Sequence, residues 1–129
     1  MNKLFKRLLV GVLAGALLLG SSMSAFAAES YEDKLVVIHT NDIHGQLETI
    51  EGEQLGLAAV AELKDYYEAK GANVLLLDAG DFSQGTTLAS YFYGGSSVIA
   101  MNVAGYDAVS LGNHEFDYGF PALLLMDEL

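Results

Sequence analysis

Three short stretches concentrate groups that hold cations or move protons. Asp42-Ile43-His44 places a carboxylate and an imidazole two residues apart. Gly80-Asp81-Phe82-Ser83-Gln84-Gly85 brackets a carboxylate with two glycines. Gly112-Asn113-His114-Glu115-Phe116-Asp117-Tyr118-Gly119 sets an amide, an imidazole and two carboxylates almost side by side. Residues two apart in extended chain point the same way, so Asp42 and His44 can face one ion together. Oxygen and imidazole nitrogen in one site suit Zn, Mn or Fe better than Ca. Gly80 and Gly85 permit a tight turn and close backbone approach around Asp81. A carboxylate so placed can bridge two cations. Each stretch also has a bland explanation. An Asp-x-His triplet occurs by accident, Asp81 alone could cap a turn, and Asn113 alone could fill a left-handed turn position. For Asp78, Glu115 and His39 the bland explanation leads: Asp78 as a turn cap or support, Glu115 as support, His39 as a packed or hydrogen-bonded strand residue.

The elements that must position these groups follow from periodicity. Leu35-Val36-Val37-Ile38 is a β-branched run long enough for a buried strand, and Asn73 to Asp78 is a continuous apolar run of the kind buried on both faces. Tyr106 to Leu111 reads as a third strand, with Ala108 to Leu111 buried. Between them, Leu55, Ala59, Leu63 and Tyr67 recur at helical spacing, with Val60 beside them, and predict a helix over 55–69 stopped by Gly71. Tyr66 and Tyr67 are read as core and rim of that helix. Thr86 to Tyr93 is expected to be helical until Gly94-Gly95, and Ser96 or Ser97 to cap a further helix through Ala104. Pro121 suits the first turn of a last helix. Strand, helix, strand, helices, strand, helix is the order of an α/β sheet with parallel neighbours. In such sheets the carboxyl ends of the strands face the ligand crevice. All three chemical stretches lie just after such ends, and that coincidence outweighs any single motif.

The chain has 129 residues, a formal charge of −11 and no cysteine. Lys3, Lys6 and Arg7, the apolar run Leu8 to Gly20, and Ala25-Phe26-Ala27 form a basic, greasy, small-residue order. This is the order of a secretory signal peptide over residues 1–27, leaving one domain over 28–129. The apolar run is short of the roughly 20 residues that span a bilayer. Cleavage and no stable membrane anchor are therefore expected, with a periplasmic, cell-wall-associated or extracellular destination. Without cysteine there is neither a disulfide nor a lipoprotein anchor. All 17 acids and only three of the six basic residues follow residue 28, so the domain carries about −14. That disfavours a nucleic-acid polymer as partner, because phosphate backbones need Lys and Arg. An anionic substrate would have to be met by bound cations.

The three stretches resemble the N-terminal signatures of the calcineurin-like metallophosphoesterases. Their contexts, His39-Thr40-Asn41-Asp42-Ile43-His44-Gly45, Leu77-Asp78-Ala79-Gly80-Asp81 and Asn113 to Gly119, are similar to the bacterial 5′-nucleotidase and UDP-sugar hydrolase branch. The resemblance runs from about Leu35 to Gly119 and implies the N-terminal part of an α/β sandwich. It implies two divalent metal ions, Zn, Mn, Fe or Mg. Asp42 and His44 would bind the first, Asp81 would bridge both, and Asn113 would bind the second. His114 would touch the phosphate and stabilise its charge, and Asp117 would orient His114. The implied reaction is hydrolysis of a phosphate monoester, a nucleotide above all, by water activated between the two metals.

The chain departs from that pattern in its later part. The family's further His-bearing motifs are missing, and the only histidines are His39, His44 and His114. The second metal would keep only Asp81 and Asn113, and the sheet would be incomplete. The expectation is therefore a fragment inactive alone, whose missing C-terminal part another chain would supply. The alternative is a non-catalytic exported fragment that binds metal or associates with a partner.

Overall fold

The computed structural model describes residues 29–129. The signal-peptide assignment to residues 1–27 lies outside the described residues. Three strands, β1 (Leu35–Thr40), β2 (Asn73–Asp78) and β3 (Ala108–Val109), form a parallel sheet in the order β1-β2-β3. Helix α1 (Leu57–Glu68) connects β1 to β2; α2 (Thr87–Tyr91) and α3 (Gly95–Ala104) connect β2 to β3. A short 3-10 turn, His114–Phe116, leads to α4 (Phe120–Asp127), which carries Pro121 in its first turn as expected. The α/β class read from the sequence is the class observed.

Strand order follows chain order in one direction. Crossovers of one hand then fall on the same face of the sheet, and α1 packs on both β2 and α3. Their core is Leu57, Phe82, Met101, Ala104 and Met126. The paired positions Val36/Val74 and Ile38/Leu76 turn to that face, where Leu76 is 0% exposed. The opposite face carries Leu35, Val37 and Leu75. Leu35 is 64% and Val37 52% exposed. The expectation of burial on both faces of β2 is thus met on one face only, because no element among the described residues covers the other.

Local differences have local causes. The predicted stripe on α1 is rotated: Leu57 is buried, whereas Leu55 precedes the helix and Leu63 is exposed. Lys64 takes the inward place. Its stem lies against the fold and its amine donates to Gly105 O and Asp107 Oδ2. Tyr67 lies half-buried at the rim of α1 and packs edge-on against Tyr31, while Tyr66 is exposed. α2 is shorter than predicted, with the Thr86 hydroxyl accepting from Ala89 N as a true N-cap. Neither Ser96 nor Ser97 caps α3. Gly94, left-handed at φ 87, starts that helix, and both serines fall in its first turn. The third strand shrinks from 106–111 to two residues and is exposed rather than buried, because it is the sheet's edge among the described residues.

Candidate metal centre

The strands end, but their alignment does not. Beyond β1 and β2 the backbone stays paired: Asp42 N donates to Gly80 O, His44 N to Asp81 O and Gly45 N to Phe82 O, at 2.9–3.1 Å. Beyond β3, Ser110 N donates to Asp78 O. The three loops therefore leave the sheet side by side. Asp42, His44 and Asp81 all have positive φ, at 52°, 45° and 61°. Side-chain-bearing residues rarely sit there, and such positions cluster at functional sites. Gly80 lies so close to Gly112 that a Cβ would come within 2.4 Å of its nitrogen.

This arrangement brings His44, Asp81 and His114 together, one ligand atom from each lying within 4.8 Å of the others. The imidazoles meet edge to face with centroids 5.2 Å apart. Asp42 stands beside the group, its Oδ1 3.9 Å from His44 Nε2, and accepts from Asn41 Nδ2 at 2.6 Å. Asp117 Oδ2 lies 2.6 Å from His114 Nδ1. That hydrogen bond raises the His114 pKa above its ordinary value and favours the imidazolium. Asn113 is exposed, right-handed rather than left-handed, and caps nothing with its side chain. His39 is a strand residue outside the clustered group, exposed on the open face of β1 rather than packed, and its ring makes no hydrogen bond among the described residues.

The supporting residues have definite tasks. Asp78 caps the turn after β2, its Oδ1 accepting from Gly80 N at 2.8 Å. Its other oxygen accepts from Thr40 Oγ1, which leaves Tyr106 to donate its hydroxyl proton to Thr40 at 2.8 Å. Burial pushes the Asp78 pKa up, and the bonds from Thr40 and Gly80 only partly offset it. Glu115 is 0% exposed. Its Oε2 accepts from Asp81 N and Gly112 N at 2.8 and 2.6 Å, its Oε1 from Phe82 N and Ser83 N at 2.9 and 3.1 Å. Burial pushes Glu115 up, but the four N–H donors together outweigh it and its pKa is lowered. Asp81 Oδ1 accepts from His114 N at 2.8 Å, and Ser83 Oγ donates to His114 O. Gln84 holds His44 Nδ1 at 3.1 Å. Each clustered imidazole thus has Nδ1 engaged and Nε2 free. No sequence signal singles out Gln84, and Glu115 reads from sequence only as a supporting residue. Apart from Gly112, three residues before Glu115, their partners lie in other loops, so little local spacing marks them.

The donor set fits a divalent transition metal: imidazole nitrogen and carboxylate oxygen, half-buried, with the outer nitrogen of each ring fixed by a neighbour. Comparison with known proteins agrees. The calcineurin-like phosphoesterase family profile matches residues 35–127. A snake venom 5′-nucleotidase from Gloydius brevicauda is 42% identical over 122 residues, covering 88% of this chain and 20% of that protein. Protein UshA of Escherichia coli is 38% identical over 119 residues, covering 86% of this chain and 22% of its own length. The crystal structure of a 5′-nucleotidase precursor from Thermus thermophilus superposes with a TM-score of 0.63 at 39% identity, over 73% of this chain and 20% of that one. The chain spans about a fifth of the length of the curated relatives it matches.

Proposed function

Because the chain belongs to the calcineurin-like phosphoesterase family, we propose that it serves an exported, metal-dependent phosphoesterase acting on phosphate monoesters, nucleoside 5′-monophosphates first among them. The observation that carries this reading is the convergence of His44, Asp81 and His114 from three strand-end loops, with Asp117 on His114. Asp42, His44, Asp81 and Asn113 are the residues that would hold two divalent ions. Such ions supply Lewis-acid polarisation of phosphoryl oxygens and a water acidified toward neutral pH.

The chain's own residues account for the rest. Asp117 engages His114 Nδ1 and favours the proton on the ring, so Nε2–H is available to donate to a phosphoryl oxygen as negative charge develops there. Gln84 orients His44, leaving its Nε2 toward Asp42. The backbone bonds of Glu115 hold the Asp81 loop against the His114 loop. In a chain this acidic, the cations and His114 would supply the attraction for an anionic ester. The basic, apolar, small-residue order of residues 1–27 supports export.

The test is hydrolysis of AMP and of p-nitrophenyl phosphate with Mn²⁺ or Zn²⁺ by the full-length product of the locus that encodes this chain, wild type and His114→Ala. Metal-dependent release of phosphate, lost in the variant, is the expected result; its absence in the wild type sinks the reading. One observation favours a second reading, a non-catalytic metal-binding or association module: His44, Asp81 and His114 are the only such cluster among the described residues, which leaves a second metal few protein ligands. Metal uptake without turnover would select it.

A further inference from the structure

Glu115 is a fully buried carboxylate with no cationic partner among the described residues. A buried carboxylate is costly unless its oxygens are satisfied. Here backbone amides alone satisfy it, and they come from both sides of the candidate metal centre. Oε2 is shared by Asp81 N and Gly112 N, so the two loops meet at one atom. Oε1 collects Phe82 N and Ser83 N, fixing the turn that follows Asp81. Asn113 and His114 hang between Gly112 and Glu115, tied at both ends to that carboxylate. The bond from His114 N to Asp81 Oδ1 closes across the same junction. Glu115 itself touches neither ring of the cluster.

We propose that Glu115 is a positioning residue, whose carboxylate, by gathering the amides of Gly112, Asp81, Phe82 and Ser83, sets the spacing of Asp81 and His114 in the metal centre. The inference rests on the metal-centre reading. Glutamine cannot replace this group. Its amide nitrogen would face two N–H donors with a donor of its own, losing two bonds and adding a repulsion. Aspartate keeps both acceptors but draws them back by about 1.5 Å, one carbon–carbon bond.

The experiment takes the ¹⁵N-labelled chain as wild type, Glu115→Gln and Glu115→Asp. It measures amide hydrogen exchange residue by residue and affinity for Co²⁺ by its visible absorption. In Glu115→Gln the His114 amide, which the Glu115 carboxylate does not bond, is expected to lose about tenfold or more of its protection, while Ile38 and Leu76 keep theirs. Co²⁺ affinity is expected to fall about 10–100-fold, the usual cost of an outer-shell partner, and Glu115→Asp to recover part of both losses. Wild-type exchange at His114 together with wild-type Co²⁺ affinity in Glu115→Gln overturns the proposal. So does a loss of protection spread equally over β1 and β2 in both variants, which would make Glu115 a general stabiliser. Should Glu115→Gln not fold, the same two readouts on Glu115→Asp decide. A wild-type chain that takes up no Co²⁺ removes the metal reading, and exchange at His114 then decides the positioning role by itself.

Discussion

Replacing Gly112 by alanine tests whether the crossing of two loops, rather than the mere presence of ligands, makes the site. A Cβ at this position would lie 2.3 Å from Asp81 Oδ1, 2.7 Å from its Cγ and 2.8 Å from its backbone nitrogen. Ordinary contact begins at 3.4 Å, so the carboxylate oxygen must retreat by the difference, about 1.1 Å. It has nowhere easy to go. Asp81 N is held by Glu115, and Asp81 Oδ1 is the acceptor for His114 N at 2.8 Å. Moving that oxygen by about 1 Å breaks the bond and pulls Asp81 out of register with both imidazoles. Overpacking of this kind costs about 1–3 kcal/mol of stability. An outer-shell disturbance of a metal centre costs about 10–100-fold in affinity. The assay is Co²⁺ titration beside urea denaturation. Gly52→Ala is the control: Gly52 has φ +79 and nothing within 4 Å of a would-be Cβ. It should show only the left-handed cost of about 1–2 kcal/mol, with metal affinity unchanged. Wild-type affinity in Gly112→Ala, or an equal loss in Gly52→Ala, refutes the reasoning.

Asp117→Asn should lower the His114 pKa toward its ordinary value, read by the imidazole resonance in an NMR pH titration. The raised value means the pair stabilises the fold most below the unfolded-state pKa of histidine and loses that contribution as pH rises through the folded one; the variant should lack this dependence. Asp78 behaves oppositely to a salt-bridged acid. Burial raises it from 3.8, so stability falls as pH climbs from 3.8 through the raised folded value, and Asp78→Asn should flatten that slope in melting curves. Asp107→Ala strips the acceptor from the amide of buried Leu76, bonded at 2.8 Å, and from Lys64. It should cost about 1–3 kcal/mol in urea denaturation, and an unchanged midpoint would contradict the pairing.

What could be read from the residues, and what could not, divides by distance along the chain. The three strand-end motifs, the α/β alternation and the Asp78 turn cap are visible because their signals are local: β-branched runs, glycines, a carboxylate two residues before the amide it caps. The buried face of α1 differs from the stripe through Leu55, Ala59, Leu63 and Tyr67 because the stem of Lys64, a charged residue, packs inward and its amine reaches Gly105 O. The start of α3 is misplaced because a serine is the commoner cap, yet the chain must turn sharply at Tyr93 and Gly94, both with positive φ, and only then enters the helix. β3 is overextended because an apolar run suggests two neighbours and here has one. Of the candidate site, His44, Asp81 and His114 are legible from their places after strands. Gln84 and the longer reach of Glu115 are not, since Gln84 acts on His44 across 40 positions and Glu115 on Asp81, Phe82 and Ser83 across 32–34.

The hydrogen bonds that assemble the centre join residues far apart in order. Glu115 reaches Asp81, Phe82 and Ser83 across 34, 33 and 32 positions, His114 reaches Asp81 across 33, and Gln84 reaches His44 across 40. Long segments must close before any of these contacts can form, which slows folding in proteins dominated by such pairs. The pairing of β1 with β2 spans 38 positions as well, so the centre and the sheet carry the same kind of closure cost. A cation bound only to the closed arrangement would hold it shut by mass action, by about 2.7 kcal/mol at a hundred times its dissociation constant.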